Sequence, residues 1–145
     1  MRVLIIEDEQ RLAQTIARGL GRYGAAVDIA LDGEAGLSKA LVNDYDVVVL
    51  GTISASLDTQ QAQLAGFLLG NDTPVIIISL RTPYDIVAFP TAPTYVCAYG
   101  VRRTSLDAAA ACLFGSIPFT GRLPVAVGTD YPAGFAARIP APLPL

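Results

Sequence analysis

The stretch DYDVVVLGTIS, residues 44–54, decides the fold of this chain. Its centre, DVVVL (46–50), is an unbroken apolar run introduced by acidic residues. Such a run is typical of a strand that is buried on both faces of a parallel sheet. The run ends at Gly51, so the tip of this strand carries no side chain. The chain must therefore place any chemistry of this sheet edge on other residues.

The composition fits one folded domain and excludes several classes of protein. The 145 residues are 52% hydrophobic and 16% charged, which suits a sheet with both faces covered. The net charge of −3 and the lack of a basic cluster argue against nucleic-acid binding. The start MRVLIIEDEQ is too short in its apolar part for a signal peptide, and no run is long enough to span a membrane. We therefore expect a cytoplasmic protein without membrane contact.

The residue types also limit the chemistry. The chain has no histidine, which removes the commonest general base and metal ligand. Cys97 and Cys112 are too few and too far apart for a zinc site, and their apolar surroundings predict free thiols rather than a disulfide.

Apolar patterns predict alternating strands and helices. Five strands are predicted: RVLII (2–6), AVDIA (26–30), DVVVL (46–50), PVIIISL (74–80) and TYVCAY (94–99). Four helices are predicted: residues 10–23, 33–43, 57–69 and 105–114. In the second helix we predict that Leu37, Ala40 and Leu41 face inward. In the third, one apolar face is predicted to carry Leu57, Leu64, Phe67 and Leu68. The fourth helix is predicted to begin with a capping box formed by Thr104 and Asp107.

This alternation predicts an α/β fold of the flavodoxin-like kind. It is a three-layer sandwich around a five-stranded parallel sheet of order 2-1-3-4-5, in a single domain of residues 1–145. GRLPVAVG (121–128) is compatible with an additional short edge strand. The proline-rich end, residues 131–145, is expected to run extended over the surface.

Residues 1–50 resemble the receiver domain of bacterial response regulators, of the winged-helix transcription factor branch. The residues that carry the likeness are VLIIEDEQRLAQTIARGL (3–20), VDIALDGEAGLSKAL (27–41) and DYDVVVL (44–50). This βαβαβ resemblance implies a Mg²⁺ site at an acidic pair, which Glu7 and Asp8 match. It also implies a phosphoacceptor aspartate at the position of Gly51, a Ser/Thr matched by Ser79, and a Lys-Pro pair that VCAYGV (96–101) lacks.

The incomplete set leaves two interpretations of the acids. In the first interpretation, the acidic residues cap the first helix and their negative charge stabilises its N-terminus. In the second, Glu7 and Asp8 form a weak residual Mg²⁺ site, millimolar at best. Receiver phosphorylation chemistry is expected to be absent in either case, because phosphoryl transfer needs a nucleophile, a metal and a cation together.

The rest of the chain resembles the C-terminal flavodoxin-like domain of family 3 glycoside hydrolases, β-N-acetylhexosaminidase branch, over about residues 46–145. The motifs are VVVLGTISASLDTQQAQLAGFLL (47–69), PVIIISLRTPYDI (74–86), YVCAYG (95–100) and AAAACLFGSIPFTGRLPVAV (108–127). In that family this domain follows a catalytic barrel, and 145 residues cannot encode the barrel as well. The resemblance therefore implies an accessory layer and not a hydrolase.

Nothing in this second part pairs two acids for sugar hydrolysis. Arg81 and Asp85 are interpreted as a structural turn or ion pair, with sugar contact as the alternative. Tyr84 and Tyr99 are interpreted as core or rim aromatics, with a sugar platform as the alternative.

The two resemblances meet in the strand 46–50, and the charge distribution changes there as well. Residues 1–50 carry 13 charged side chains, whereas residues 51–145 carry 10. The sequence thus predicts a chimera: a receiver-like fragment (1–50) joined to a hydrolase accessory fragment (51–145), engineered and without catalytic activity. The alternatives are a degenerate pseudo-receiver with weak Mg²⁺ affinity and a residual carbohydrate-binding domain.

For partners and cofactors the expectation is largely negative. No cofactor is expected apart from weak Mg²⁺, and no specific partner is expected. The chain should be a monomer with weak homodimerisation, because a surface that once faced a barrel would be apolar.

Overall fold

The computed structural model describes residues 1–136 of the chain. The elements follow in chain order: β1 (Arg2–Ile6), α1 (Gln10–Gly21), β2 (Ala26–Ala30), α2 (Gly33–Val42), β3 (Val47–Thr52), α3 (Thr59–Leu69), β4 (Val75–Ser79), a 3₁₀ helix (Pro83–Ala88), β5 (Thr94–Cys97) and α4 (Arg103–Leu113). No helix within residues 1–136 is both long enough and apolar enough to cross a membrane.

The five strands form one parallel sheet in the order β2-β1-β3-β4-β5. This arrangement confirms the predicted flavodoxin-like fold. β3 lies at the centre, where it pairs with β1 through Val3–Val47 to Ile6–Leu50 and with β4 through Val48–Val75 to Thr52–Ser79. The strand that joins the two predicted fragments is thus the middle of a continuous sheet.

Each face of the sheet is covered by its own hydrophobic core, because successive side chains of a strand point to opposite faces. On one face, Val3, Ile5 and Val49 pack with residues of α1 and α4. On the other face, Leu4, Val48 and residues of α2, α3 and the 3₁₀ region pack together. All three layers predicted from the sequence are present.

Helices α1 and α4 connect the two predicted fragments across the first core. Gly19 of α1 lets the helices approach so closely that a Cβ there would lie 3.2 Å from the Cβ of Ala110. Arg22 Nη1 forms an ion pair with Asp107 Oδ2 at 3.0 Å. The rings of Tyr23 and Phe114 stack with centroids 4.8 Å apart.

Several local predictions were wrong. Helix α4 begins at Arg103, its N-cap residue is Arg102, and no side chain caps it. The predicted capping box of Thr104 and Asp107 is therefore absent, because Asp107 forms ion pairs with Arg22 and Arg103 instead.

Three of the apolar side chains predicted to face inward are exposed. Leu41, Leu57 and Phe67 are 63%, 88% and 64% exposed, whereas Leu68 is buried as predicted. Leu57 lies before the first residue of α3, so the helical period does not apply to it. Phe67 lies off the face of α3 that buries Ala65 and Leu68, and Leu41 lies in the exposed last turn of α2, beside the exposed Val42.

The segment after α4 does not add a strand to the sheet. Residues 121–136 contain two isolated antiparallel bridges, Arg122–Ala136 and Val127–Tyr131, so the predicted edge strand 121–128 is replaced by a folded-back loop. Of the predicted extended tail, residues 137–145 lie outside the described part.

Candidate functional site

The candidate site lies at the carboxyl ends of β1, β3 and β4. The chain leaves β1 towards α1 on one face of the sheet and leaves β3 towards α3 on the opposite face. Such a divergence between neighbouring strands opens a crevice, and ligands of open α/β sheets bind there as a rule. Glu7, Gly51 and Ser79 all lie at this edge, as the sequence predicted.

Glu7 is turned into the sheet edge and is only 5% exposed. Its backbone N–H donates to the Ala30 carbonyl at 3.1 Å, and its Oε1 accepts the Glu9 N–H at 3.1 Å. Burial raises the pKa of the Glu7 carboxyl from 4.5 to about 7, although the Glu9 N–H acts to lower it. A hydrogen bond with the Asp8 side chain and the negative charges of Asp8 and Glu9 raise this pKa further.

Gly51 and Glu7 are complementary in shape. A Cβ built on Gly51 would collide with Glu7 Oε2 and would lie 3.3 Å from Leu80 Cδ1. The Glu7 carboxyl thus fills the space in which a side chain at position 51 would begin. The lack of an acceptor side chain and the inward turn of Glu7 belong to one arrangement.

The pair Glu7 and Asp8 does not fit a Mg²⁺ centre in this arrangement. Mg²⁺ requires octahedral oxygen ligands, usually one or two carboxylates that remain accessible to water. Glu7 is buried and engaged by Glu9, whereas Asp8 is exposed. Within residues 1–136, no three His, Cys, Asp or Glu side chains are grouped so that they could hold a metal. We derive no reaction step through this ion.

Ser79 is engaged in a buried polar cluster with Asp85 and Thr52. Thr52 Oγ1 donates to Asp85 Oδ2 at 2.8 Å, and Ser79 Oγ lies 3.5 Å from the same oxygen while it donates to the Thr82 carbonyl. Asp85 is 1% exposed, and its Oδ1 has no hydrogen-bond partner among the described residues. The cluster ties the 3₁₀ helix to the ends of β3 and β4.

The role of Asp85 was missed from the sequence. The expectation was a structural turn or an ion pair with Arg81; Asp85 does lie in the 3₁₀ helix, but it is buried against two hydroxyls and Arg81 is exposed. The only local indication in the sequence that Asp85 is buried was the apolar pair that follows it, Ile86 and Val87. That pattern could not identify Thr52, which lies 33 residues away.

The end of β5 brings no cation to the site. Cys97 and Tyr99 occupy the region where the receiver resemblance implies a Lys-Pro pair, and burial raises the pKa of the Cys97 thiol to about 11. The single lysine, Lys39, donates to the Ile29 carbonyl at 2.8 Å. The described site therefore has neither the acceptor carboxylate nor the lysine of a phosphoryl-transfer centre.

Three acids of the second part are held in structural contacts. Asp58 caps α3, where the Gln61 amide and the N–H groups of Gln60 and Gln61 lower its pKa. Asp107 forms ion pairs, and Asp85 is buried. Tyr84 and Tyr99 are 44% and 45% exposed, so they lie at the surface and not in the core.

No family model matches the sequence, but curated proteins do. The transcriptional regulatory protein CutR of Streptomyces coelicolor is 60% identical over 50 residues, which are 34% of this chain and 23% of CutR. The response regulator ArlR of Staphylococcus saprophyticus is 38% identical over 88 residues, 60% of this chain and 40% of ArlR. The chain therefore spans only 23% to 40% of these relatives, and the second alignment is longer than the predicted receiver fragment.

Solved structures give likenesses of two kinds. A segment of a fungal multi-domain GH3 β-N-acetylglucosaminidase superposes with a TM-score of 0.78 at 21% identity, over 94% of this chain and 16% of that one. The receiver domain of the Francisella response regulator 1452 has a TM-score of 0.57 at 26% identity, over 79% of this chain and 97% of that domain. A chain from the complex of the histidine kinase ThkA with the response regulator TrrA has a TM-score of 0.52 at 24% identity, over 66% and 83%.

These findings agree with the geometry. The sequence similarity is to response regulators, and the sheet order is that of a receiver. The glycosidase segment shares the fold at low identity. The chain therefore has a five-stranded parallel α/β fold and a partial sequence similarity to response regulators.

Proposed function

We propose that this chain is a folded, receiver-like domain that catalyses neither phosphoryl transfer nor glycoside hydrolysis. The observation that carries the proposal is the Glu7–Gly51 contact, in which a buried carboxyl fills the space of an acceptor side chain. Phosphoryl transfer to the protein needs a nucleophilic side chain. The neighbouring hydroxyls of Thr52 and Ser79 are already hydrogen-bonded to Asp85 and to the Thr82 carbonyl.

The test is incubation of the intact chain with acetyl phosphate and Mg²⁺, followed by intact-mass spectrometry. We expect no phosphoryl mass increment, while an active receiver domain treated in parallel gains one. An increment on this chain, mapped by peptide analysis to a residue at the carboxyl edge of the sheet, would overturn the proposal.

We further propose that the chain is an engineered chimera of residues 1–50 and 51–145. The 60% identity to CutR extends over 50 residues, the length of the first fragment, and the structural likeness to the glycosidase segment extends over 94% of the chain. The 88-residue similarity to ArlR supports the competing account, a single receiver ancestor. Structural superposition of residues 51–136 alone on both parents distinguishes them: a chimera requires a closer match to the glycosidase segment.

A second candidate function is weak Mg²⁺ binding by a degenerate pseudo-receiver, which would require the Glu7 carboxyl to leave its buried position, since the pair does not fit the ion as it stands. It is supported by the adjacency of the exposed Asp8 to Glu7 at the sheet edge. NMR titration should then shift the amide signals of Glu7, Asp8 and Gly51 at millimolar Mg²⁺. If those signals do not move at tens of millimolar, this candidate is excluded.

A third candidate, residual carbohydrate binding or hydrolysis, is supported only by the fold shared with the glycosidase segment. Turnover of an aryl N-acetylglucosaminide that follows the folded protein through purification, and that one point mutation abolishes, would establish it. We expect turnover equal to the blank, because Asp85 is buried and Asp58 and Asp107 serve other contacts.

For partners, we propose a monomer that self-associates weakly and has no specific protein partner. The complex in which TrrA was solved contains a histidine kinase, but phosphotransfer from such a kinase would require an acceptor at position 51. The exposed Leu57 and Phe67 provide apolar surface for weak self-association. Light scattering should show a mass that rises with concentration.

A further inference from the structure

A groove of about 530 Å³ lies beside β5, away from the Glu7–Gly51 contact. β5 forms one wall, and residues 119–135, which fold back after α4, form the other wall. Val127 and Val96 are buried in these two walls, at 1% and 7% exposure. The size is in the range of small-molecule sites, roughly 300–1,000 Å³.

Aromatic side chains dominate the lining of this groove. The five that line it are Tyr95, Tyr99, Phe119, Tyr131 and Phe135. Tyr131 and Phe135 meet edge to face with ring centroids 5.3 Å apart, and the Tyr95 hydroxyl donates to the Pro83 carbonyl at 3.2 Å. Such walls suit a flat apolar ring, because they offer ring faces and edges for stacking.

Backbone hydrogen bonds hold the returning wall in place. Val127 N–H donates to the Tyr131 carbonyl at 2.8 Å, and Leu123 N–H donates to the Phe135 carbonyl at 2.9 Å. Gly134, with a φ of +82°, turns the chain and donates to the Leu123 carbonyl at 2.7 Å. The groove is therefore formed before any ligand arrives, which lowers the entropic cost of binding.

Among residues 1–136, Arg122 is the one charged side chain that lines the groove, and no carboxylate of this part of the chain lines it. The guanidinium donates through Nη1 to the Gly134 carbonyl at 3.2 Å, which fixes it at the rim, where it remains exposed to solvent. The other guanidinium N–H groups leave donors for an anion, and Arg suits planar carboxylates. Charge complementarity thus favours a ligand with a single negative charge.

We propose that this groove binds a flat aromatic small molecule that carries one carboxylate or sulfonate. The ring lies among the aromatic walls, and the anion lies against Arg122. The site shares no residue with the Glu7–Gly51 edge, so the proposal is independent of the proposed function.

The first test compares three probes on the intact chain by calorimetry or NMR: 2-naphthoate, the neutral 2-naphthalenemethanol and the cationic 2-naphthylmethylamine. We expect millimolar or tighter binding of naphthoate, at least ~5-fold tighter than that of the alcohol, and the weakest binding for the amine. Equal affinities for all three, or no binding of naphthoate at ~10 mM, would overturn the proposal.

Matched arginine variants distinguish a contact of the ligand with Arg122 from a general effect of the net charge on binding. Arg122→Gln should weaken naphthoate binding at least ~5-fold and leave the alcohol unchanged, whereas Arg122→Lys should retain most of the affinity. Arg102→Gln removes the same charge from an exposed residue that does not line the groove, and it should have no effect. Equal losses in Arg122→Gln and Arg102→Gln would contradict the proposal.

The two free cysteines provide an internal readout that does not depend on any substitution. Cys97 lines the groove, whereas Cys112 lies in α4 outside it. Saturating naphthoate should slow the alkylation of Cys97 at least ~3-fold and leave Cys112 unchanged. If saturating naphthoate leaves the alkylation rate of Cys97 unchanged, as it leaves that of Cys112, then naphthoate does not occupy the groove.

Discussion

Residues 1–50 and residues 51–136 use their polar groups in different ways. In the first region, charged side chains pair near the surface: Arg2 bonds Asp28 at 2.8 Å and lies over the ring of Tyr45, whose hydroxyl also reaches Asp28. Each region also buries one carboxyl group, but with different partners: Glu7 accepts a backbone N–H, whereas Asp85 accepts a hydroxyl donor. The second region replaces a full helix between β4 and β5 by a 3₁₀ turn.

The difference teaches that a parallel α/β sheet tolerates unlike halves when the strand spacing and handedness agree. β3 accepts β1 on one side and β4 on the other with regular registers. The α1–α4 contact then needs complementary volume and charge, which Gly19 with Ala110 and Arg22 with Asp107 supply.

The largest effect is expected where the two regions pack through α1 and α4. Gly19→Leu should reduce the free energy of unfolding by about 3 kcal/mol, because its side chain must enter the space of Ala110. Gly21→Leu is the matched control, since no atom lies within 4 Å of a Cβ there. Urea unfolding measures both. Wild type should show one cooperative transition, and two transitions would mean that the regions fold apart.

The next effect is a pH dependence that belongs to the first region. The folded-state pKa of Glu7, about 7, lies above the unfolded value of 4.5. The stability from neutral Glu7 is therefore complete below pH 4.5 and is lost as the pH rises through 7, by at most about 3 kcal/mol.

Glu7→Gln should remove this loss, so that the variant exceeds wild type in stability at pH 8 but not at pH 4.5. The exposed Glu34→Gln is the control with the same change of formal charge. Parallel pH profiles for wild type and Glu7→Gln would contradict the assignment.

In the second region, Thr52→Val should cost about 1 to 2 kcal/mol, because it leaves the buried Asp85 without its 2.8 Å donor. Thr15→Val on the exposed face of α1 is the control and should stay within about 0.5 kcal/mol of wild type. Denaturant unfolding of both variants measures the difference. Equal effects would show that the cluster does not stabilise the 3₁₀ region.

The smallest effect is expected at the point where the regions meet. Gly51→Ala should cost about 1 kcal/mol, since the Glu7 carboxyl must turn away from the new methyl group. In a Glu7→Ala background the same change should cost close to nothing, and this coupling is measured by a double-mutant cycle. Additive effects would mean that Leu80, not Glu7, limits the space.

Much of the fold could be predicted because its signals are local. The apolar runs of β1, β3 and β4 and the four-residue period of α1 specify element type within short windows of sequence. The alternation of these elements then allows few topologies. For the site, Glu7, Gly51 and Ser79 could be placed at one edge, because the carboxyl ends of parallel strands meet there.

The remaining features depend on contacts between residues far apart in the chain. Leu57 and Phe67 have apolar side chains but are exposed, because Leu57 precedes α3 and Phe67 lies off the face of α3 that buries Ala65 and Leu68. The capping residues of α4 could not be read from Thr104 and Asp107, since Arg22 competes for Asp107 from another helix.

The sequence by itself determined the order of strands and helices, the burial of the central sheet and the absence of a side chain at position 51. Only the tertiary structure decided that Glu7 fills that space, that Asp85 is buried against Thr52, and that the returning loop leaves an aromatic groove beside β5. The physical reason is the separation along the chain over which each kind of interaction acts. Hydrophobic periodicity acts within one element, whereas cavities, desolvated acids and hydrogen bonds across 33 residues exist only after separate elements pack together.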